Sequence, residues 1–70
     1  MISYEPLWDT MKKRNVTTYT LINKYGFSPY TITNLKRNHS ITMHTLEKLC
    51  KTLNCTADSI VKFEDDNNSI

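Results

Sequence analysis

The chain has 70 residues, of which 39% are hydrophobic and 23% are charged, as in an ordinary small globular domain. A domain of this size buries only about 60% of the surface that its unfolded form exposes, so we expect no deep catalytic cleft and no enzyme. No apolar run reaches the roughly 18 residues of a membrane-spanning helix, and the N-terminus lacks the features of a secretory signal, which predicts a cytoplasmic protein.

Two helices are predicted in the first part of the chain. Pro6 suits the first turn of a helix over residues 5–14, because its missing N–H is not needed there. Thr17 can cap a second helix over residues 18–25, and Gly26 ends it because glycine accepts the left-handed backbone conformation. The helical spacing of the apolar residues predicts the buried set Leu7, Trp8, Met11, Leu21, Ile22 and Tyr25.

Three further helices are predicted downstream. Ser28 and Pro29 form a cap followed by a proline at the first helical position, which starts a third helix that runs to residue 37. A fourth helix covers residues 43–53, and Thr56 caps a short fifth one. No segment has the pattern of a strand, so the sequence predicts an all-α fold, a compact five-helix bundle. Its predicted buried residues are Phe27, Ile32, Leu35, Leu46, Leu49, Cys50, Leu53 and Ile60.

The charges are distributed unevenly along this chain. The net charge is +2, but residues 1–63 hold nine basic and four acidic residues, a net charge of +5. No acid lies between Asp9 and Glu47. That interval contains what we call the basic block: Lys12, Lys13, Arg14, Lys24, Lys36 and Arg37. The block favours a polyanionic partner over the alternative of a merely solvated basic face.

The segment from residue 17 to residue 38 has the layout of a helix-turn-helix, with two capped helices joined by a short turn that contains Gly26. In this motif the second helix enters the major groove of DNA. We therefore predict a DNA-binding domain over residues 1–63 with helices 2 and 3 as its helix-turn-helix. Residues 64–70 are acidic and have no apolar periodicity, which predicts a disordered tail.

The third helix divides into a buried and an outward face. At about 100° per residue, Ile32 and Leu35 define the buried direction, and an outward stripe without acids or aliphatic residues lies opposite. Asn can bind adenine, Arg can bind guanine, and Thr can contact thymine, whereas an ordinary solvated face usually mixes Glu with Lys. The predicted base-reading residues are Tyr30, Thr33, Asn34 and Arg37.

Contacts to the DNA backbone are expected from the groups around this helix. The N-terminal amides of helices attract phosphates, and small polar or basic side chains beside them add hydrogen bonds. The predicted backbone-contacting residues are Thr17, Thr18, Ser28, Pro29, Lys36, Asn38, His39 and Thr42. The alternative for His39 is an ordinary loop residue.

Other chemistry has little support in the sequence. Cys50 and Cys55 lie among apolar residues, and His39 and His44 lack zinc-finger spacing, so packing is favoured over a metal site. A Ser, a His and an Asp are present without any motif of a catalytic triad. We expect no cofactor, no metal, no small-molecule ligand and no membrane partner.

Several segments together resemble the Cro/cI-type (XRE-like) helix-turn-helix family over about residues 5–63. They are Thr17-Thr18-Tyr19-Thr20-Leu21, Gly26-Phe27-Ser28, Ile32-Thr33-Asn34-Leu35 and the stretch from Thr45 to Cys55. The resemblance implies a lambda-repressor-like fold of five helices, binding to double-stranded DNA, transcriptional regulation and frequent homodimers. It also implies a phosphate contact at Thr18, often Gln in the family, and reading positions at residues 29, 30, 33 and 34.

Two functions are compatible with these features. The first is a sequence-specific transcriptional regulator of double-stranded DNA, with residues 29–37 as its recognition helix. The second is a protein-interaction module on the same scaffold, such as an antitoxin subunit or an adaptor. The apolar residues Ile60, Val61 and Phe63 predict a homodimer through the C-terminal region in the first case, because a small core alone gives only about 3 to 5 kcal/mol.

Overall fold

A computed structural model describes residues 1–64, which contain four α-helices, one 3-10 turn and a two-stranded antiparallel sheet. Of the predicted tail, only Glu64 lies within the described residues. No helix in this part of the chain is long and apolar enough to cross a membrane. In chain order the elements are β1 (Ile2–Ser3), α1 (Glu5–Lys13), α2 (Thr18–Asn23), α3 (Pro29–Lys36), α4 (Met43–Leu53), the 3-10 turn (Ala57–Ser59) and β2 (Lys62–Phe63).

Three of the four helices begin at hydroxyl caps. The side chains of Thr17, Ser28 and Thr42 each accept a hydrogen bond from the backbone N–H three residues later, at 3.1 Å in every case. These caps satisfy amide groups that have no partner inside a helix. The predicted starts of all four helices are confirmed. The predicted end is confirmed for α4, whereas α1 and α3 end one residue earlier and α2 ends two residues earlier than predicted.

The helices end at residues with a left-handed backbone. Gly26 has a φ of 75° after α2, as predicted, and asparagines serve the other three ends: Asn15, Asn38 and Asn54 have φ values of 58°, 57° and 52°. Asparagine tolerates this conformation better than most residues because its short polar side chain bonds locally. The sequence analysis overlooked these three asparagines as helix-ending residues.

The prediction of five helices without a strand is wrong at the C-terminal end. The fifth helix is one 3-10 turn, and the hydroxyl of Thr56 bonds to the carboxylate of Asp58 instead of capping a backbone amide. After this turn the chain extends, because the N-terminal segment offers backbone partners: Ser3 pairs with Lys62, and Ile2 pairs with Phe63. The Lys62 ammonium also lies 2.7 Å from the carboxylate of Glu5.

The core gathers residues from every helix around Phe27 and Tyr4. Most predicted core residues are buried, while Trp8, Ile22, Tyr25, Leu46 and Cys50 are half-buried against them. The buried hydrophobic residues are Tyr4, Leu7, Met11, Leu21, Phe27, Ile32, Leu35, Leu49, Leu53 and Ile60. Tyr4, which is 1% exposed, was not predicted, because it lies outside the first helix and has no periodic pattern to mark it.

Tyr4 joins the N-terminal segment to the end of α3. Its hydroxyl donates a 2.6 Å hydrogen bond to the carbonyl of His39, and its backbone N–H donates to Oδ1 of Asn38 at 3.2 Å. Burial raises the pKa of the Tyr4 hydroxyl, which therefore remains a donor at neutral pH. The last turn of α3 is thus held by a residue 34 positions earlier in the chain.

Replacing Tyr4 with Phe is expected to lower the free energy of unfolding by about 0.5 to 1.5 kcal/mol, because the carbonyl of His39 loses its donor. Urea denaturation followed by circular dichroism measures this change. Tyr30→Phe is the matched control: the same oxygen is removed from a side chain that is 75% exposed, so stability should not change. Equal stability of the two variants would contradict the assigned role of Tyr4.

Candidate nucleic-acid interface

Burial of two residues determines how α3 faces solvent. Ile32 and Leu35 are 4% and 0% exposed, so the opposite side of the helix is directed away from the core. On that side Tyr30, Thr33 and Arg37 are exposed, and Asn34 is half-buried. The structure thus brings the four predicted base-reading residues onto one side of one short helix.

Two of these four side chains already have partners within residues 1–64. The Thr33 hydroxyl donates to the carbonyl of Pro29 at 3.1 Å, one turn earlier in the helix. Oδ1 of Asn34 lies 3.4 Å from Nδ1 of His39, slightly beyond the roughly 3.2 Å limit of most N–H···O hydrogen bonds. The side-chain polar groups of Tyr30 and Arg37 make no hydrogen bond to the described part of the chain, although the backbone N–H of Arg37 donates to the carbonyl of Thr33. These two residues offer their full donor sets to a ligand.

Three of the predicted backbone-contacting residues are the helix caps themselves. The hydroxyls of Thr17, Ser28 and Thr42 lie 3.0 to 3.1 Å from the hydroxyls of Thr20, Thr31 and Thr45 in addition to capping the backbone. The first turns of α2, α3 and α4 contain no acidic residue that would compete with a phosphate for the helix N-termini. Pro29 occupies the first turn of α3 and has no N–H to donate.

The other predicted backbone-contacting residues divide into two groups. Lys36 is exposed and Thr18 is half-buried. Asn38 and His39 are exposed as well, but they also have structural partners, since both are hydrogen-bonded to Tyr4. In His39 the group bonded to Tyr4 is the backbone carbonyl. The structure does not test whether any of these residues contacts DNA, so these contacts stay predictions.

The basic block has no carboxylate partners within the described residues. The ion pairs of this part of the chain involve only Lys51 and Lys62, with Glu47, Glu5 and Glu64. In the block, Lys24 lies 5.4 Å from the ring centre of Tyr25, and Arg14 donates to the carbonyl of Asn54 at 3.3 Å. All six residues of the block are exposed. Their charges are thus available to attract an anionic partner.

Sequence analysis missed one exposed aromatic residue near this surface. Tyr19, in the first turn of α2, is 72% exposed. It lies two residues before the buried Leu21 and hence about 200° around the helix from the buried direction, a signal that could have identified it. Tyr19 and Tyr30 are the two strongly exposed tyrosines of α2 and α3.

The chain has no assembled metal site or catalytic triad within residues 1–64. No three His, Cys, Asp or Glu side chains are grouped closely enough to bind a metal ion. Ser28, His39 and Asp58 bond to Thr31, Asn34 and Thr56, respectively, and not to one another. Cys50 and Cys55 are free and half-buried, and burial raises the pKa of the Cys55 thiol, which disfavours a reactive thiolate.

Comparison with known proteins gives one matching family and one similar solved structure. The family of Cro/C1-type helix-turn-helix DNA-binding domains matches residues 6–66. The crystal structure of the transcriptional regulator VanUg superposes with a TM-score of 0.80 at 28% sequence identity, covering 87% of this chain and 81% of that one. Among curated proteins, none matches the chain significantly.

Proposed function

The chain belongs to the family of Cro/C1-type helix-turn-helix DNA-binding domains, and from this premise we propose that it is a sequence-specific transcriptional regulator. In this proposal α3 lies in the major groove of double-stranded DNA. The observation that carries it is the exposed, acid-free side of α3, in a chain whose basic block has no carboxylate partner within residues 1–64.

Each residue of this side has a distinct proposed role. Arg37 donates two hydrogen bonds to guanine, and Asn34 forms an acceptor–donor pair with adenine. Thr33 contacts a thymine methyl group, a role that fits its hydroxyl because that group already donates within the helix. Tyr30 packs on a sugar or a thymine methyl group at the start of the helix, or donates to a phosphate.

The contacts to phosphates are proposed to position α3 and to supply most of the affinity. The amide ends of α3 and α4, with Thr17, Ser28 and Thr42, bind phosphates through hydrogen bonds. Thr18, Lys36 and the Asn38 amide nitrogen add further contacts. Because the cations of the basic block release counterions from DNA, affinity is expected to fall steeply as salt concentration rises.

The substitutions Asn34→Ala and Arg37→Ala test the base-reading roles. Each should cost about 1 to 3 kcal/mol of binding free energy at the preferred site and relax the base preference at one position. Fluorescence anisotropy on a duplex selected from random DNA, and on its single-base variants, measures both effects.

Arg14→Ala is the matched control for the arginine, because Arg14 lies after α1 and is proposed only to attract DNA diffusely. It should weaken all sequences equally or not at all. If the wild-type protein selects no duplex but captures a defined protein, the interaction-module function is favoured instead.

The substitution Ser28→Asp separates capping from phosphate binding. Aspartate caps a helix about as well as serine, and its charge suits the helix N-terminus, so the free energy of unfolding should stay equal or rise by up to about 1 kcal/mol. The same charge repels a phosphate, so DNA affinity should fall by tenfold or more, an order-of-magnitude expectation for a lost charge-assisted contact. Ser28→Asn, a neutral cap of similar quality, is the control. Unchanged DNA affinity in Ser28→Asp would place the start of α3 away from the backbone.

We further propose that two copies associate through an apolar surface on the C-terminal half. Met43 and Phe63 are 77% and 76% exposed, although both are large and apolar. They border a groove of about 160 Å³ that is lined by Ile2, Tyr4, Ile41, Met43, Leu46, Val61 and Phe63. We call this the apolar groove. Exposed apolar patches of this kind mark interaction sites.

Charge favours a second copy as the occupant of the apolar groove. Lys62 and Glu64 lie on either side of Phe63 in the chain and place a base and an acid beside it. In a two-fold contact the same surface faces itself, so mixed charges allow an acid of one copy to meet a base of the other. Such a dimer is expected to place its two α3 helices about 34 Å apart, one turn of B-DNA.

The substitution Met43→Glu is expected to convert the dimer to a monomer, because it adds an unpaired charge to the contact. Sedimentation equilibrium should give twice the 8.2 kDa chain mass for the wild type and a single chain mass for the variant. Tyr19→Glu is the control, because Tyr19 on α2 is nearly as exposed as Met43. It should leave the mass unchanged. A concentration of about 100 μM is well above the dissociation constants that are typical of specific association. A wild-type protein that stays monomeric at this concentration would contradict this interface.

A further inference from the structure

The C-terminal end of α3 is a closed hydrogen-bonded motif. Asn38 adopts the left-handed conformation, its N–H donates to the carbonyl of Leu35 at 3.2 Å, and the N–H of His39 donates to the carbonyl of Asn34 at 2.9 Å. This pair of bonds is the Schellman arrangement of a helix end. It brings the backbone of His39 back to that of Asn34, five residues earlier in the chain.

Tyr4 holds the same turn from the other side. It donates its hydroxyl proton to the carbonyl of His39 and its backbone N–H to the side chain of Asn38. Both backbone polar groups of His39 are therefore hydrogen-bonded, one to Asn34 and one to Tyr4. A histidine held in this way can direct its ring, although the side chain itself is exposed.

The ring of His39 is directed at Asn34, a residue of the proposed reading surface, which is formed by Tyr30, Thr33, Asn34 and Arg37. Its Nδ1 lies 3.4 Å from Oδ1 of Asn34. An amide oxygen only accepts hydrogen bonds, so in this contact Nδ1 carries the hydrogen. In this arrangement Oδ1 of Asn34 faces the ring and its NH₂ group lies on the other side.

We propose that His39 is a positioning residue that sets the base preference of Asn34. This inference rests on the proposed function. To read adenine, one amide must accept from N6–H and donate to N7 at once. Oδ1 has a second lone pair for N6–H while it accepts from His39, and Nδ2 is left for N7. An amide turned by 180° exchanges donor and acceptor and no longer matches adenine.

This role differs from a phosphate contact by the same side chain. A contact to the DNA backbone would use Nε2, the ring nitrogen that does not face Asn34. Substitution can test the two ring nitrogens one at a time. In His39→Asn the side-chain amide nitrogen occupies the place of Nδ1, and in His39→Gln it occupies the place of Nε2. His39→Asn keeps the positioning donor, and His39→Gln keeps only the outer donor.

The experiment compares the DNA affinities of these two variants. It uses the selected duplex and duplexes in which the adenine that Asn34 is proposed to contact is replaced by another base. His39→Gln should lower the preference for adenine by about three- to tenfold, the effect of one neutral hydrogen bond. His39→Asn should keep the preference within about twofold of the wild type, whatever happens to overall affinity. A preference retained in His39→Gln, or lost equally in both variants, overturns the proposal.

A second measurement separates this inference from the proposed function. In the DNA-free protein, ¹⁵N relaxation of the Asn34 side-chain amide reports its order directly. The amide should be ordered in the wild type and in His39→Asn, and more mobile in His39→Gln. Equal mobility in all three proteins overturns the positioning role even if no duplex is bound, whereas failure of the wild type to bind any duplex overturns only the proposed function.

Discussion

Burial of Ile32 and Leu35 is the constraint on which the reading surface depends. Each fully buried aliphatic side chain contributes about 1.5 to 3 kcal/mol, more than any exposed residue of α3 can contribute to its orientation. Because the helical repeat is fixed, this burial also decides which residues face solvent. The proposed recognition chemistry is thus confined to the remaining side of α3 and to Arg37, the residue that follows the helix, and no acid occurs there.

Contacts at both ends keep so short a helix in place. An isolated helix of eight residues is unstable in water, so α3 depends on its core contacts, its Ser28 cap and the turn at Asn38. Tyr4 links that turn to the rest of the molecule: it is one of the residues that border the apolar groove, and its hydroxyl donates to the carbonyl of His39. The surface proposed for dimer formation and the surface proposed for DNA therefore share one buried residue.

Local rules predicted most of the fold, and the parts they missed depend on distant contacts. Hydroxyl caps, the two prolines and Gly26 predicted the starts of α1, α2 and α3 and the helix-turn-helix, since each acts within a few residues. The pairing of β1 with β2 joins residues about 60 positions apart, and no periodicity encodes such short strands. Likewise, polarity selected Asn34 and His39 separately, but their contact arises only from the left-handed turn at Asn38.

Mapping the protein's own amide resonances during titration with a selected duplex tests the central claim most directly. If α3 lies in the major groove, the largest ¹H–¹⁵N shift changes should cover α3 and the N-terminal turns of α2 and α4. The second half of α4 and strand β2 should change little on binding DNA. Large changes confined to the apolar groove, with α3 unaffected at saturating duplex, would contradict the account.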